Sequence, residues 1–216
     1  FVRHVSKSIT IDDEIAEITD KLTTALQQRY DRADANSAKD AEASDDAFNF
    51  DICANQSGYI CSVSEQRLLK IIEKHEVCLK LHKPMGEYML SEEVLFSATK
   101  KLDEDLVQSI QELVSIQPSR SEDSPIEFSI NLLLEIALRA LSPGVNDTYT
   151  AIATVDSLSK AFASVTSRND MSSLVLKSGD GKRRLILPEF SVEHLINQAF
   201  HPLRRAASNN ILMSQC

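Results

Sequence analysis

The chain has 216 residues, 43% of them hydrophobic and 25% charged, with a formal net charge of −9 and no tryptophan. That is the composition of an ordinary globular chain of one large or two small domains, with a mostly aliphatic core. The acidic balance excludes a nucleic-acid surface, which needs a basic stripe to displace counterions; the one dense basic run, Lys182-Arg183-Arg184, reads as solvated strand charge after a turn.

In chain order, residues 1–30 form a lead segment whose part from 11 to 30 reads as an amphipathic helix. Ile11, Ile15, Ile18, Leu22, Ala25 and Leu26 recur at three-to-four spacing. Asp12, Asp13 and Glu14 sit in its first turn, where the helix dipole favours negative charge. This stripe is expected to pack against the rest of the chain or a second copy. Residues 31–47 lack periodicity and almost lack hydrophobes, the mark of a flexible loop.

From Phe48 the period becomes two. Phe48, Phe50 and Ile52 alternate, as do Tyr59, Cys61 and Val63. A helix over 64–76, a strand over 77–81, a turn at Pro84-Met85-Gly86 and one or two short strands over 88–98 complete a β module at 48–100 with an inserted helix. Residues 101–216 read as mainly helical. Leu102–Gln117 is expected to be one helix stopped by Pro118. A second runs from Pro125, suited to a first turn, to about Leu141. A third covers about 148–166, capped by Asn146 or Asp147, and a last one 192–207, with a kink or break at Pro202. Between them, Leu174-Val175-Leu176 and Leu185-Ile186-Leu187 flank Ser178-Gly179-Asp180-Gly181, a β-hairpin near 172–188. The expected fold is α+β: a small β-barrel-like module plus a helical bundle carrying a β-hairpin.

Four cysteines, Cys53, Cys61, Cys78 and Cys216, show no metal-ligand spacing; Cys53, Cys61 and Cys78 lie in apolar stretches and read as buried small hydrophobes, which fits a reducing compartment. No window approaches the roughly 20 apolar residues that cross a bilayer. The most apolar stretch, Ile130 to Leu141, is short and carries Glu135 and Arg139. No signal peptide is present; the start at Phe1 and the cap-like Ser208-Asn209-Asn210 near the end read as cuts within a longer chain.

The chemistry-bearing residues gather around one helix end. Asn131, Glu135, Arg139 and Ser142 share a helical face, with Glu135 and Arg139 an i,i+4 pair in the favourable order. Two readings follow: an ion pair at a solvent edge, or a buried Arg facing the next motif. That motif, Ser142-Pro143-Gly144-Val145-Asn146-Asp147-Thr148, breaks one helix and starts another, with Gly144 suited to a left-handed position and Asn146 or Asp147 to the cap. A helix N-terminus beside an Arg is also a natural anion site. The ligand-binding candidates are therefore Arg139, Ser142, Asn146, Asp147 and Glu135, for a small anionic ligand.

Other constellations fail. His4, His75, His82, His194 and His201 show no metal-binding spacing, and no Ser lies in a G-x-S-x-G elbow. There is no phosphate-binding glycine loop among only five glycines. No catalytic residue, metal or cofactor is assigned.

Ile136-Ala137-Leu138-Arg139-Ala140-Leu141-Ser142-Pro143-Gly144-Val145-Asn146-Asp147, followed by Thr150-Ala151, resembles the signature of a family of predicted bacterial membrane proteins, the domain of unknown function numbered 2254. Thr148 departs from that pattern, which has a proline there. Phe1-Val2-Arg3-His4-Val5 with Ser8-Ile9 resembles the family's segment after its last membrane helix, and Gly58-Tyr59-Ile60 with Pro84-Met85-Gly86-Glu87-Tyr88-Met89 its small β module. Arg120 and Asp123 match a polar pair before the long helix. The β module is also similar to the barrel-sandwich hybrid of biotinyl and lipoyl domains, but the modified lysine is absent, so no carrier role is expected. The family resemblance implies a block of membrane helices followed by this soluble region, on the cytoplasmic face of the cell membrane. The expected function is a binding, gating or assembly module, a channel or transporter part that oligomerises and contacts its own membrane-helix region. The alternative is an enzyme acting on an anionic or lipid substrate at Arg139, Asn146 and Asp147.

Overall fold

In the computed structural model, residues 2–36, 48–166, 173–179, 181–188 and 191–208 are described. Among them the chain forms six helices and eight strands, a mixed α+β fold. It divides into two units.

The first unit is helical. It takes α1 (Val2–Asn36) as far as Asp31, with α4 (Pro125–Ala140), α5 (Thr148–Ala163) and α6 (Val192–Ala206). α1 buries one stripe, Ile15, Ile18, Leu22, Leu26 and Tyr30. Thr19 lies in that stripe too, its hydroxyl donating to the Ile15 carbonyl at 2.6 Å. Asp12, Asp13, Glu14, Glu17, Asp20 and Lys21 face outward. Once nucleated, a helix propagates through Ala, Arg and similar residues without needing a buried face, so the stretch expected to be loop from residue 31 stays helical to Asn36. The rest of that expected loop, 37–47, lies outside the described residues, as do Cys216 and the cap-like Asn209-Asn210.

α4 packs on α5 and α6. It buries Ile126, Ile130, Leu133, Leu134, Ala137 and Ala140. α5 and α6 meet through Phe162 and Phe200, ring centroids 6.2 Å apart. The Ser191 hydroxyl caps α6 by accepting from the His194 N–H at 3.0 Å. α6 runs unbroken through Pro202; only about one turn follows the proline, so few hydrogen bonds depend on continuity there. His194 and His201 are both exposed on it.

The second unit holds every described strand. Its larger sheet has the order β1 (Phe50–Cys53), β5 (Val94–Ala98), β3 (Leu79–Leu81), β8 (Arg183–Pro188), β7 (Ser173–Lys177). Its smaller sheet has the order β4 (Tyr88–Met89), β2 (Gly58–Val63), β6 (Val114–Gln117). All neighbours are antiparallel except β3 and β8, which run parallel with Leu79 opposite Leu185. α2 (Glu65–Lys74) and α3 (Glu104–Gln111) supply Leu68, Ile72, Leu106 and Ile110 to the core, which also holds Ile60, Met89 and Phe96.

Four expectations are corrected here. The β module forms no closed barrel, because its strands divide between two sheets that each keep free edges. The hairpin β7–β8 is not carried by the helices; β8 hydrogen-bonds to β3 and extends the larger sheet. The segment 102–117 is not one helix. The Asp103 carboxylate accepts from Leu106 N–H at 2.8 Å and starts α3, and Val114 and Ile116 then leave it for β6, opposite Val63 and Ile60 of β2. Cross-strand packing of β-branched residues outweighs the helical period beyond Gln111. Arg184, expected to be solvated, is also buried, its Nε donating to the Ser178 hydroxyl at 3.2 Å.

Candidate functional site

The α4–α5 connection is a fixed backbone, not a loose linker. Val145 and Asn146 N–H groups both donate to the Ser142 carbonyl, at 3.0 and 2.9 Å, and the Asp147 N–H donates to the Ala140 carbonyl at 2.8 Å. These bonds satisfy carbonyls that the helix end would otherwise leave open. The left-handed residue is Asn146, with φ +48°, and not Gly144; the short polar Asn side chain tolerates that conformation better than most. Beneath the connection Ala140, Ala151 and Ala207 pack together with Leu141, Ile152 and Val155. Their small size allows the helix ends to approach closely.

Asp147 is the cap of α5. Its carboxylate accepts from the Thr150 N–H at 3.2 Å and the Thr150 hydroxyl at 2.8 Å. Glu135 and Arg139 form their i,i+4 pair at 3.0 Å, with side chains 65% and 72% exposed. The buried-Arg geometry is therefore not the one adopted. The Ser142 hydroxyl donates to the Arg139 carbonyl at 2.7 Å, and the Asn131 amide donates to the Glu127 carbonyl at 2.6 Å. Of the five candidates, the structure joins Glu135 to Arg139 and Ser142 to the Arg139 backbone. Asp147 is held apart by its cap, and Asn146 points to solvent. Two large hydrophobic side chains are also displayed here, Val145 of the connection at 56% exposed and Tyr149 in the first turn of α5 at 79%.

Removing the Asp147 carboxylate removes a cap. Asp147→Ala is expected to cost about 1 kcal/mol, or a melting temperature lower by roughly 2–4 °C, whereas Asp147→Asn keeps most of it. Arg139→Met, which breaks only a solvated pair, is expected to stay within about 0.5 kcal/mol of the parent. Urea denaturation of the three variants checks this; a large loss at Arg139 would contradict the exposed pairing.

Two further constellations assemble residues far apart in sequence, and no local motif announces them. On the larger sheet the Ser97 hydroxyl donates to Asp51 at 2.7 Å and lies 2.7 Å from His82 Nε2. A hydroxyl has one proton, so with it committed to Asp51 the imidazole must donate to Ser97. This is the reverse of nucleophile activation, in which the histidine accepts the serine proton; the row is a structural cross-strand network. On the smaller sheet the guanidinium of Arg120 lies 4.2 Å from the centre of the Tyr59 ring, and Tyr59 meets Tyr88 edge-on at 5.0 Å. Asp123, the other half of the sequence pair, instead accepts from Ser121. Among the described residues no group of three or more His, Cys, Asp or Glu is placed to hold a metal ion.

A mixed α+β chain of two units, with its signature motif at a rigid helix–helix connection, can now be compared with known proteins. The chain belongs to the DUF2254 family, described as predicted membrane proteins, whose profile matches residues 1–215. It is similar to the uncharacterized protein Rv1290c of Mycobacterium tuberculosis, 26% identical over 220 residues that cover 99% of this chain and 42% of the relative. The uncharacterized protein Mb1321c of Mycobacterium bovis matches with the same identity and coverage. The chain thus spans less than half the length of the curated relatives it matches. No solved structure matches it. Among the described residues no helix is long and apolar enough to cross a membrane.

Proposed function

We propose that this chain is an extramembrane part of a membrane protein and works by contact, as a binding and assembly module on the cytoplasmic face. The family supports the membrane context, and the relatives' remaining length leaves room for the spanning helices. The observation that carries the contact reading is the α4–α5 connection. It holds Val145 and Tyr149 out in solvent on a hydrogen-bonded backbone. Exposed aromatic side chains on a rigid support lose little conformational entropy on docking and so make good anchors. The carboxylate and guanidinium of the motif are engaged in a cap and a solvated ion pair, which favours recognition over catalysis. Cys53 and Cys61 are free thiols, in keeping with a reducing compartment.

The test is photo-crosslinking in native membranes, with a photoreactive phenylalanine analogue at position 149 of the full-length protein and a control at exposed Lys100. The expected result is a discrete adduct at 149 that the control lacks. A product of twice the protein mass identifies a second copy, and a change in mobility without added mass identifies the protein's own membrane region. Equal, diffuse labelling at both positions would overturn the contact reading. Proteolysis of inverted and right-side-out vesicles checks the side: cleavage of this region only in inverted vesicles is expected.

A further inference from the structure

We propose that the outer face of the smaller sheet is an oxyanion-binding site, anchored by Arg120 on a floor of Tyr59 and Tyr88, for a small phosphate- or carboxylate-bearing molecule. It lies entirely within the second unit and is independent of the contact reading above. The sheet has two unlike faces. Ile60, Met89, Ile116 and Val114 point into the core. On the other side, register places Tyr88, Tyr59 and Gln117 in one row across the three strands. Arg120 follows β6 by three residues and folds back over the middle of that row, its guanidinium against the Tyr59 ring.

Among the described residues no carboxylate pairs with it, as with Arg67, Arg204 and Arg205; a further observation sets it apart. Its Nε is buried and has no hydrogen-bond partner. Buried donors nearly always have partners, and a lone charged one calls for an explanation. The face is also held ready for a ligand. The Ser124 hydroxyl donates to the Cys61 carbonyl at 2.8 Å, tying the segment that carries Arg120 to β2. The Lys83 ammonium donates to the Tyr88 carbonyl at 3.2 Å and to the Glu93 carboxylate at 2.8 Å, bracing the two-residue strand β4.

A guanidinium stacked on an aromatic ring keeps its in-plane N–H fork free, and that fork matches the two oxygens of a carboxylate or phosphate. Because Nε is buried, the N–H groups offered first are those of the two Nη nitrogens, and the side chain must turn about its last torsions before a ligand oxygen can give the orphan donor its acceptor. Tyr88 is exposed beside it, with its hydroxyl available for a further oxygen. The chain's net charge of −9 opposes anions at long range, so binding rests on these close contacts and is of millimolar order, about 1–10 mM.

The experiment is a ¹H–¹⁵N titration of the 216-residue chain. It follows the Arg120 Nε–Hε resonance, identified by its loss in Arg120→Lys. Sodium phosphate and sodium acetate are each compared with sodium chloride at equal ionic strength. The expected result is a saturable shift with at least one of the two oxyanions and none with chloride. Phosphate alone points to a phosphorylated ligand, acetate alone to a carboxylate, and both to the shared fork chemistry. Tyr59→Leu should weaken binding about tenfold by removing the floor, with the remaining amide resonances of the chain in place. Shifts that track chloride in the unmutated chain overturn the proposal, and that reading does not depend on how either variant folds.

Discussion

Replacing Leu22 by Asp is expected to destabilise the chain by about 4 kcal/mol or more. Leu22 is fully buried in the middle of the α1 stripe, between Ile18 and Leu26 on the same face. Losing its burial alone forfeits about 1.5–3 kcal/mol. A carboxylate at that depth has no cationic partner within the stripe, so it must either protonate or pull the helix away from its contacts. Asp20→Leu, two residues earlier on the exposed face, should stay within about 0.5 kcal/mol. Urea unfolding followed by circular dichroism separates the two. If Leu22→Asp unfolds together with the parent, α1 is not part of the folded core and its stripe serves some other surface.

The second large effect is expected at Gly58. A Cβ there would lie 2.5 Å from the Gln117 carbonyl oxygen and 2.9 Å from both the Gln117 carbonyl carbon and the Ile116 Cγ2. Two of those atoms are backbone, so no side chain can swing aside; β2 and β6 must separate. Gly58→Ala should therefore cost about 3 kcal/mol, the upper part of the usual range for overpacking, and lower the melting temperature by roughly 6–12 °C. Gly144→Ala is the paired control. A Cβ at Gly144 meets nothing within 4 Å, and the substitution should be neutral or raise stability by up to about 1 kcal/mol by restricting the unfolded chain. Thermal melts of the two alanine variants should move in opposite directions or differ by several degrees. Similar melts would mean that β2 and β6 are not in the close register described.

Features set by neighbours in sequence were the legible ones. Pro125 at the head of α4 and Asp147, one of the two cap candidates for α5, act within one turn, and the helices they begin are readable from the residues alone. Glu135 and Arg139 were likewise recognisable as a pair, because four residues on a helix fix their separation. What local pattern could not supply was depth and pairing. The same stripe suits a solvent edge or a buried seam, and only the packing of α4 decides that Arg139 faces water. Val114 and Ile116 become a strand because β2 offers a partner more than 50 residues away. Arg184 sits in a run of basic residues and alternates with the core residues Leu185 and Leu187, yet it is buried on its own face with its Nε donating to Ser178. The Arg120 cluster draws Tyr59, Tyr88 and Arg120 from three separated segments, so spacing carries no trace of it; the family resemblance touched all three residues but gave no sign that they meet.

The parallel pairing of β3 with β8 sets an order on how this chain can be made. β3 ends at Leu81, and its partner strand begins only at Arg183, after α4 and α5 have been translated. At about 5–20 residues per second the ribosome needs on the order of 5–20 s to deliver that partner. Throughout this interval Leu79–Leu81, two leucines flanking the exposed Lys80, forms a sheet edge beside β5 that lacks its second partner strand. Such an edge is a template for the wrong strand. Nascent chains halted before residue 183 should therefore be the aggregation-prone species, and chaperone demand should fall sharply once the hairpin has emerged.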